Sequence, residues 1–369
     1  DVKFHFNISK KEFNPEPKVD SSVLSFTPKK NTNFKLNGVS YSLESLLSTS
    51  KINHNYLFQF LRKWTDKSST VELQTSGSTG VPKTLHMSKS KMILSAKRTG
   101  AFLNLQSGNK ALCCLPLDYI AGKMMVVRAL VLGLDLYLIK PSKNPLKTFS
   151  FRFDFVAFTP YQLEHSIQHL DKIKTLIVGG GPINEKTKKT LYKKKTNVYE
   201  TYGMTETVSH VALKHVSQGE QEFKALKGVR FETKNNCLKI FCDSILTKPI
   251  VTNDVVNLIS EKRFVWKGRV DFVINSGAIK IYPEELEKKL SQAISVPFVI
   301  MGVPDEEFGE KITIVFEGET PHNFKDLIEG LDFFEKPKKV FNLDVFPRNN
   351  NKVLRRKIIT KILKLYGSN

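Results

Sequence analysis

No stretch of this chain stays apolar for the roughly 18 residues that a membrane-spanning helix needs, so no span is expected. The opening residues, DVKFHFNISKKEF, lack the continuous apolar core of a secretory signal. Cysteine is scarce. Cys113, Cys114, Cys237 and Cys242 show no metal-ligand spacing. Cys113 and Cys114 lie inside the apolar run Ala111–Leu115, which fits a buried strand in a reducing compartment, and the chain reads as cytoplasmic. Acidic residues are in deficit, 36 Asp and Glu against 57 Lys and Arg, for a formal net charge of +21. Such a balance can serve nucleic acid, but no RNA-binding signature or basic–aromatic interleaving accompanies it. The lysines are spread along the chain, as in Glu185–Lys195 and towards the C-terminus. Solvated lysine faces that aid capture of anionic ligands account for them, and no nucleic-acid partner is expected. Internal repeats and long low-complexity segments are also absent.

What is present is enough apolar material for a large core. The 369 residues are 40% hydrophobic, and that length favours two or more domains. The chain is organised around Thr75–Lys83, TSGSTGVPK, which follows the β-type run Val71–Gln74. Gly77 and Gly80 permit close backbone approach, Ser76, Ser78 and Thr79 offer hydroxyls, and Lys83 adds a positive charge. That set suits a polyphosphate. It is not a Walker loop, because Pro82 stands where GxxxxGK[ST] has its second glycine. A flexible Gly/Ser surface loop is the alternative reading of the same residues.

The region before this loop says least, although Phe34–Ser42 reads as a hairpin around Asn37-Gly38 and Asn55–Trp64 has helical apolar spacing. After the loop, strands and helices alternate. Ser88 is placed to cap a helix to about Leu103. Ala111–Leu115, Leu134–Ile139, Phe153–Phe158, Thr175–Val178 and Val198–Tyr202 read as strands. Ile120–Leu132, Tyr161–His169 and Asn184–Lys193 read as helices. The alternation predicts an α/β domain with a substantially parallel sheet. Beyond about residue 225 come short β-type runs, Val229–Thr233, Leu238–Phe241, Val255–Ile259 and Phe264–Trp266, which predict an antiparallel subdomain. The last hundred or so residues predict a small α+β domain. Its elements are helix Pro283–Ala293, strands Val296–Val303 and Ile312–Phe316, helix Asn323–Leu331, strand Val340–Val345 and a basic helix from near Val353. The expected architecture is mixed α/β, with a large domain over residues 1–270 and a small mobile domain over residues 271–369.

Several segments look unlike scaffold. Gly179-Gly180-Gly181-Pro182 follows an apolar strand and precedes a helix, where a parallel sheet places its ligands; a plain tight turn fits equally well. Tyr199–Thr207, YETYGMTET, turns from strand to polar loop and offers Thr201, Tyr202, Gly203, Thr205 and Glu206. Glu206 beside a phosphate site suits magnesium, a hard cation with oxygen ligands; a solvated loop glutamate is the alternative. Asp254 is expected to follow a short strand, where it could accept ribose hydroxyls. Gly268-Arg269-Val270-Asp271 joins the two expected domains. NSGAIKIYPEELE, residues 275–287, is a glycine turn, a strand and a helix start with Pro and two Glu. Lys352 ends an asparagine-rich turn.

Taken in order, these segments resemble the adenylate-forming superfamily of acyl-CoA synthetases, adenylation domains and luciferases over roughly residues 70–360. Within it, CLPLDYIAGKMM, YGMTETVSH and GRVDFVINSGAIKIYPEELE are similar to 2-succinylbenzoate–CoA ligases of menaquinone biosynthesis, here in a short form. The resemblance implies ATP, Mg2+ and coenzyme A as reactants, a small-molecule carboxylic acid as substrate, and an acyl-adenylate between the two half-reactions. It implies that Thr75, Ser76, Gly77, Ser78, Thr79, Gly80 and Lys83 hold phosphates, and that Gly179–Pro182, Thr201, Tyr202 and Gly203 flank adenine. Asp254 and Arg269 would face ribose, Glu206 with Thr205 would serve magnesium and catalysis, and Asp271 would be the hinge. Gly277 would lie on the loop used in thioester formation. Lys352 would be the mobile catalytic lysine, although the usual Asn-Gly-Lys is here Asn350-Asn351-Lys352. Tyr119, Lys123, Ser209 and His210 would line the acyl pocket. Many relatives have His where Tyr119 stands. Lys123 is the candidate cation for a second carboxylate, with snorkelling from a helix edge as the alternative. His210 reads as a pocket-wall or core residue. Another aryl- or fatty acyl-CoA ligase, a carrier-protein-loading enzyme, and a nonenzymatic nucleotide or nucleic-acid binder are the rivals. Homo-oligomer formation is left open.

Overall fold

The structure, a computed structural model, describes residues 34–74, 84–277, 279–349 and 352–366. The described chain forms two compact units. One takes residues 34–74, 84–141 and 153–156; the other takes 142–152 and 157–366.

The first unit opens with the expected hairpin, β1 (Phe34–Leu36) and β2 (Val39–Tyr41), whose turn residues Asn37 and Gly38 have φ of 52° and 83°. Positive φ at both positions is what a two-residue turn of the right twist requires, and Asn-Gly supplies it cheaply. Helices α1 (Leu43–Asn53) and α2 (Asn55–Thr65) follow, the second burying Leu57, Phe60, Leu61 and Trp64 along one face. Strands β3 (Thr70–Gln74) and β4 (Thr84–Ser88) pair antiparallel, and α3 (Lys89–Leu103) starts directly after Ser88. The Ser88 hydroxyl bonds Ser90 Oγ at 2.7 Å, so the capping position is right while the cap bond itself is not made. Strand β5 (Lys110–Cys113) leads to α4 (Ile120–Leu132), then β6 (Asp135–Leu138) and β7 (Phe153–Phe158). The helix α4 is apolar on nearly every side, the signature of a fully buried helix, and Met124, Met125, Val126, Val127 and Ala129 are all buried. Strand β6 pairs parallel with β1 and β5, and β5 parallel with β7.

The second unit begins with α5 (Pro160–Ser166), started by a capping box. Thr159 Oγ1 accepts from Gln162 N at 3.2 Å, and Gln162 Oε1 accepts from Thr159 N at 3.1 Å. Strand β8 (Ile173–Val178), helix α6 (Glu185–Leu191) and strand β9 (Asn197–Gly203) complete a parallel β–α–β step. From there the sheet turns antiparallel, as expected. It adds β10 (His210–His215), β11 (Phe223–Ala225), β12 (Arg230–Lys234), β13 (Cys237–Phe241), β14 (Ile250–Ser260) and β15 (Arg263–Arg269), in spatial order β8-β9-β10-β11-β15-β14-β13-β12. Strand β14 is longer than its apolar run. Thr252, Asn253 and Asp254 lie inside it, and not after a short strand as the sequence suggested.

The same unit carries a small second sheet. It consists of β16 (Ile274–Ser276), β17 (Ile279–Ile281), β18 (Phe298–Asp305), β19 (Gly309–Glu317) and β20 (Lys339–Leu343), with α7 (Pro283–Leu290), α8 (Phe324–Glu329) and α9 (Arg355–Tyr366). A two-residue pair, β21 (Arg348–Asn349) and β22 (Lys352–Val353), precedes α9. Alternation along β18 sends Ile300 to the side of Leu286 and Leu290, and Val299, Met301 and Val303 to the side of Ile358 and Ile362. One face of the sheet is thus covered by α7 together with Phe324 of α8, and the other by α9. Arg355 ties these layers together. Its guanidinium pairs with Glu287 of α7 and donates to Ile300 O at 2.8 Å, while Glu287 Oε1 accepts from Ile300 N at 2.6 Å.

Among the described residues no helix is long and apolar enough to cross a membrane.

Candidate active site

The loop Thr75–Lys83 lies outside the described residues, so Thr75, Ser76, Gly77, Ser78, Thr79, Gly80 and Lys83 receive no structural account. Its two flanks are fixed. Gln74 and Thr84 are the last paired positions of β3 and β4, so the nine residues join adjacent strand ends.

The glycine turn leaves β8 with Gly179 N–H donating to Phe158 O at 3.0 Å. A Cβ on Gly179 would stand 2.5 Å from Thr201 Oγ1, so the bare backbone lets the turn lie against β9. Gly180 has φ of 88°, and Gly181 and Pro182 are partly or fully exposed. Gly203 answers a second close approach. A Cβ there would meet Ser209 O at 2.5 Å and His210 Cα at 2.6 Å, where β9 and β10 converge. Alanine at 203 would have to push backbone apart.

Between those strands Thr205–Thr207 make one turn of 3-10 helix. Thr207, fully buried, accepts from Met204 N at 3.0 Å and closes the turn. Val208 follows with φ of 68° and ψ of −51°, and Ser209 N donates to Thr207 O at 2.8 Å across it. This is a γ-turn of the rarer hand, centred on a buried β-branched residue, and it holds strain of roughly 1–3 kcal/mol. The strained turn leaves Glu206 exposed. A lone carboxylate fits magnesium, which keeps waters and phosphate oxygens as most of its ligands. Among the described residues no group of three or more His, Cys, Asp or Glu forms a protein-only metal cage.

A dense polar cluster surrounds Asp254, a residue that is 8% exposed. Tyr202 Oη donates to its Oδ2 at 2.6 Å, Trp266 Nε1 donates to its Oδ1 at 3.2 Å, and Arg269 Nη1 stands 3.9 Å away. A carboxylate has about four acceptor positions, so capacity remains for further hydroxyl donors such as a vicinal diol. Burial, and then the Asp254 charge, push the Tyr202 phenol well above its ordinary value, so it stays a donor. Its ring meets Phe264 edge-on at 5.0 Å. Arg269 Nη2 donates to Asp271 Oδ2 at 2.9 Å, and Asn253 Nδ2 to Asp271 Oδ1 at 3.1 Å. Arg356, on α9, donates to Asp271 Oδ2 at 3.0 Å. The segment expected to be a hinge is thus bonded to β14, to β15 and to the final helix.

Tyr119 and Lys123 belong to the first unit and Ser209 and His210 to the second. Tyr119 occupies the position before α4, and Lys123 Nζ donates to Asp118 O at 2.9 Å while burial lowers its pKa. Ser209 Oγ lies 3.4 Å from Nδ1 of the buried His210. Gly277, φ 64°, turns between β16 and β17 and donates to Phe308 O at 2.6 Å. Lys352 begins β22, paired with Asn349.

A family model described as AMP-binding enzyme matches residues 40–233, more than half of the chain. The chain belongs to the AMP-binding enzyme family. It is an AMP-forming ligase of the acyl-CoA synthetase class. A 2-succinylbenzoate–CoA ligase of Listeria innocua is 26% identical over 361 residues, covering 87% of this chain and 75% of that protein. One from Bacillus cereus is 23% identical, covering 81% and 71%. The crystal structure of an acyl-CoA synthetase (AMP-forming)/AMP-acid ligase II-like protein from Dyadobacter fermentans is 31% identical, with TM-score 0.58, covering 86% of this chain and 97% of that one. The O-succinylbenzoate coenzyme A synthetase of Bacillus subtilis in complex with ATP and magnesium ion is 21% identical with TM-score 0.67, covering 78% and 69%, and shares the fold.

In this AMP-binding enzyme Trp266, Asn253 and Arg356, to which their motifs assign no role, complete the bonding of Asp254 and Asp271. Burial alone would raise Asp271, but hydrogen bonds from Arg269 and then Asn253 hold its carboxyl below the usual 3.8. A depressed folded-state pKa gives stability that is present above pH 3.8 and lost as pH falls through the folded value. The stability difference between wild type and Asp271→Asn, measured by urea melts, is therefore expected to be constant from neutral pH to about 4 and to shrink below it. It stays within about 1 kcal/mol, because the pair is solvent-accessible.

Proposed function

We propose that this enzyme is an ATP-dependent carboxylate–CoA ligase that converts 2-succinylbenzoate to 2-succinylbenzoyl-CoA, in menaquinone biosynthesis, by way of the acyl-adenylate. The observation that carries the reading is the Tyr202–Asp254–Trp266–Arg269 cluster, set beside the glycine turn in a chain of the AMP-binding family. Its match to curated 2-succinylbenzoate–CoA ligases supports the choice of acid.

A carboxylate resists a thiol because its charge makes it a poor electrophile. Its attack on the α-phosphorus of ATP exchanges oxide for AMP, a good leaving group, and releases pyrophosphate; the CoA thiol then displaces AMP. The first step needs charge stabilisation more than proton transfer. In this reading Thr75, Ser76, Thr79 and Lys83 hold the β- and γ-phosphates, and Lys352 stabilises charge at the α-phosphate. Asp254 and Arg269 hold ribose, and Tyr202 with the Gly179–Pro182 turn holds adenine. Glu206 would hold the magnesium, which neutralises phosphate charge when bound, and Thr205 beside it would take part in catalysis. Residues 271–369 act as the mobile domain, turning about Asp271 to exchange Lys352 for the Gly277 loop. The bonds of Asp271 to Arg269 and Arg356 support a hinge role, since both must adjust if the segment rotates. A cytoplasmic location is part of this reading, supported by four buried free cysteines.

Pyrophosphate exchange with a panel of carboxylic acids, followed by a CoA-thioester assay, tests the proposal. Exchange with 2-succinylbenzoate above all other acids supports it. Preference for a fatty or benzoic acid replaces the substrate, transfer to a carrier protein alone replaces the acceptor, and no exchange with any acid sinks it. Lys123 supplies a finer check. Lys123→Met is expected to raise KM for 2-succinylbenzoate about tenfold, the worth of one charge-assisted hydrogen bond, with KM for ATP little changed. Equal KM values in variant and wild type would remove Lys123 from the pocket.

A further inference from the structure

A buried carboxylate that no motif singles out lies between the glycine turn and the strand carrying Tyr202. Glu200 stands on β9 and is 5% exposed. Its Oε1 accepts from the backbone N–H of Ile183, the residue after Pro182, at 3.2 Å. Its Oε2 lies 2.8 Å from Lys214 Nζ on β10 and 3.9 Å from Lys188 Nζ on α6. Lys188 also donates to Glu185 Oε1 at 2.8 Å, so two lysines and two glutamates balance within the cluster. Lys214 is itself buried, with Nζ 4.4 Å over the Phe223 ring; burial lowers its pKa and the Glu200 charge opposes that fall.

Buried charge is costly, and packed apolar side chains would serve stability as well or better. What an apolar side chain cannot do is accept the Ile183 N–H. The described hydrogen bonds hold the turn at its entrance by Gly179 N–H to Phe158 O and at its exit by Ile183 N–H to Glu200. Both anchors matter because Gly180 has positive φ and nothing within 4 Å of its Cβ position. The exit anchor belongs to the strand that continues into Thr201, Tyr202 and Gly203.

We propose that Glu200 is a positioning residue that fixes the Gly179–Pro182 turn against β9 and so sets the width of the slot receiving the purine of ATP. Lys214 and Lys188 serve it by compensating its charge. This inference rests on the nucleotide-site reading above, and two readouts keep the two separable.

The experiment compares wild type, Glu200→Gln, Glu200→Leu and the double variant Glu200→Gln with Lys214→Met. It records AMP affinity by calorimetry, KM for ATP and for the acid in pyrophosphate exchange, and thermal melting. Glu200→Leu is expected to weaken AMP binding and raise KM for ATP about tenfold, the worth of one buried hydrogen bond, while KM for the acid moves less than about twofold. Glu200→Gln keeps an acceptor oxygen and is expected to stay within about threefold of wild type in AMP affinity, as is the double variant, which leaves Lys188 balanced by Glu185. Unchanged AMP affinity in Glu200→Leu, or an equal rise in both KM values, overturns the proposal. If Glu200→Leu does not fold, the double variant decides alone: retained AMP affinity supports the hydrogen-bond role, and a tenfold loss overturns it. Wild type that binds AMP but exchanges with no acid would sink the proposed reaction and leave calorimetry to judge Glu200.

Discussion

Replacing Lys352 by alanine is expected to lower adenylate formation on the order of a hundredfold to a thousandfold, the range for removing one preorganised charge-stabilising donor. Thioester formation from supplied acyl-adenylate and CoA should stay near wild type. The asymmetry follows from chemistry: the first half-reaction gathers charge at the five-coordinate α-phosphorus, whereas in the second the thiol attacks the acyl carbonyl and expels AMP, and a lysine covering the adenylate would obstruct that thiol. The fold gives this lysine a defined base. Lys352 begins β22, next to α9, whose first residue Arg355 is pinned to Glu287 and Ile300. Its backbone is therefore tied to the small sheet, as the proposed delivery by domain rotation requires. Lys83, expected to hold the outer phosphates, should be a gentler loss, raising KM for ATP more than it lowers kcat. Separate assays of the two half-reactions check the split. Equal loss in both would remove Lys352 from the α-phosphate.

Local patterns made much of the scaffold readable, and long-range pairing hid the rest. Ile120–Leu132 and Phe153–Phe158 were expected within the bounds they adopt, because continuous apolar runs bracketed by polar turns leave few alternatives. The strand β10 went unread for a physical reason. His210, Lys214 and His215 make it look polar, yet all six of its residues are buried. Lys214 is paired with Glu200, and His215 stacks on Tyr199 at 4.2 Å. Thr252-Asn253-Asp254 looked like the end of a strand, but in β14 those polar side chains have partners waiting on β13, β9 and the Asp271 segment. No sequence rule places Val208 at positive φ, since the conformation is imposed by the convergence of β9 and β10 around Gly203. The ordered motifs did point to Asp254 and Arg269, while Trp266 and Arg356 became visible only once the chain was folded.

Asp254→Leu is expected to raise KM for ATP on the order of tenfold to a hundredfold and to destabilise the protein by about 2–4 kcal/mol, the cost of leaving two donors unmet. The donors are Tyr202 Oη, 52 positions away in sequence, and Trp266 Nε1. Asp254→Asn separates the two effects. Its one remaining carboxamide oxygen can still take the phenol but not the Trp266 N–H as well, so about half of the lost stability should return, while its capacity to receive a diol and its pull on Arg269 are lost. Activity should therefore recover less than the melting temperature. Tyr202 provides an independent reporter. Burial and the Asp254 charge together hold its phenol above the ordinary 10.0, so taking away the charge lowers that value while burial keeps it raised. In a pH titration of tyrosinate absorbance, Asp254→Asn should accordingly show one tyrosine ionising earlier than in wild type. A variant that loses stability and shifts Tyr202 but keeps its KM for ATP would leave Asp254 as the tie between β9, β14 and β15, with no hand in nucleotide binding.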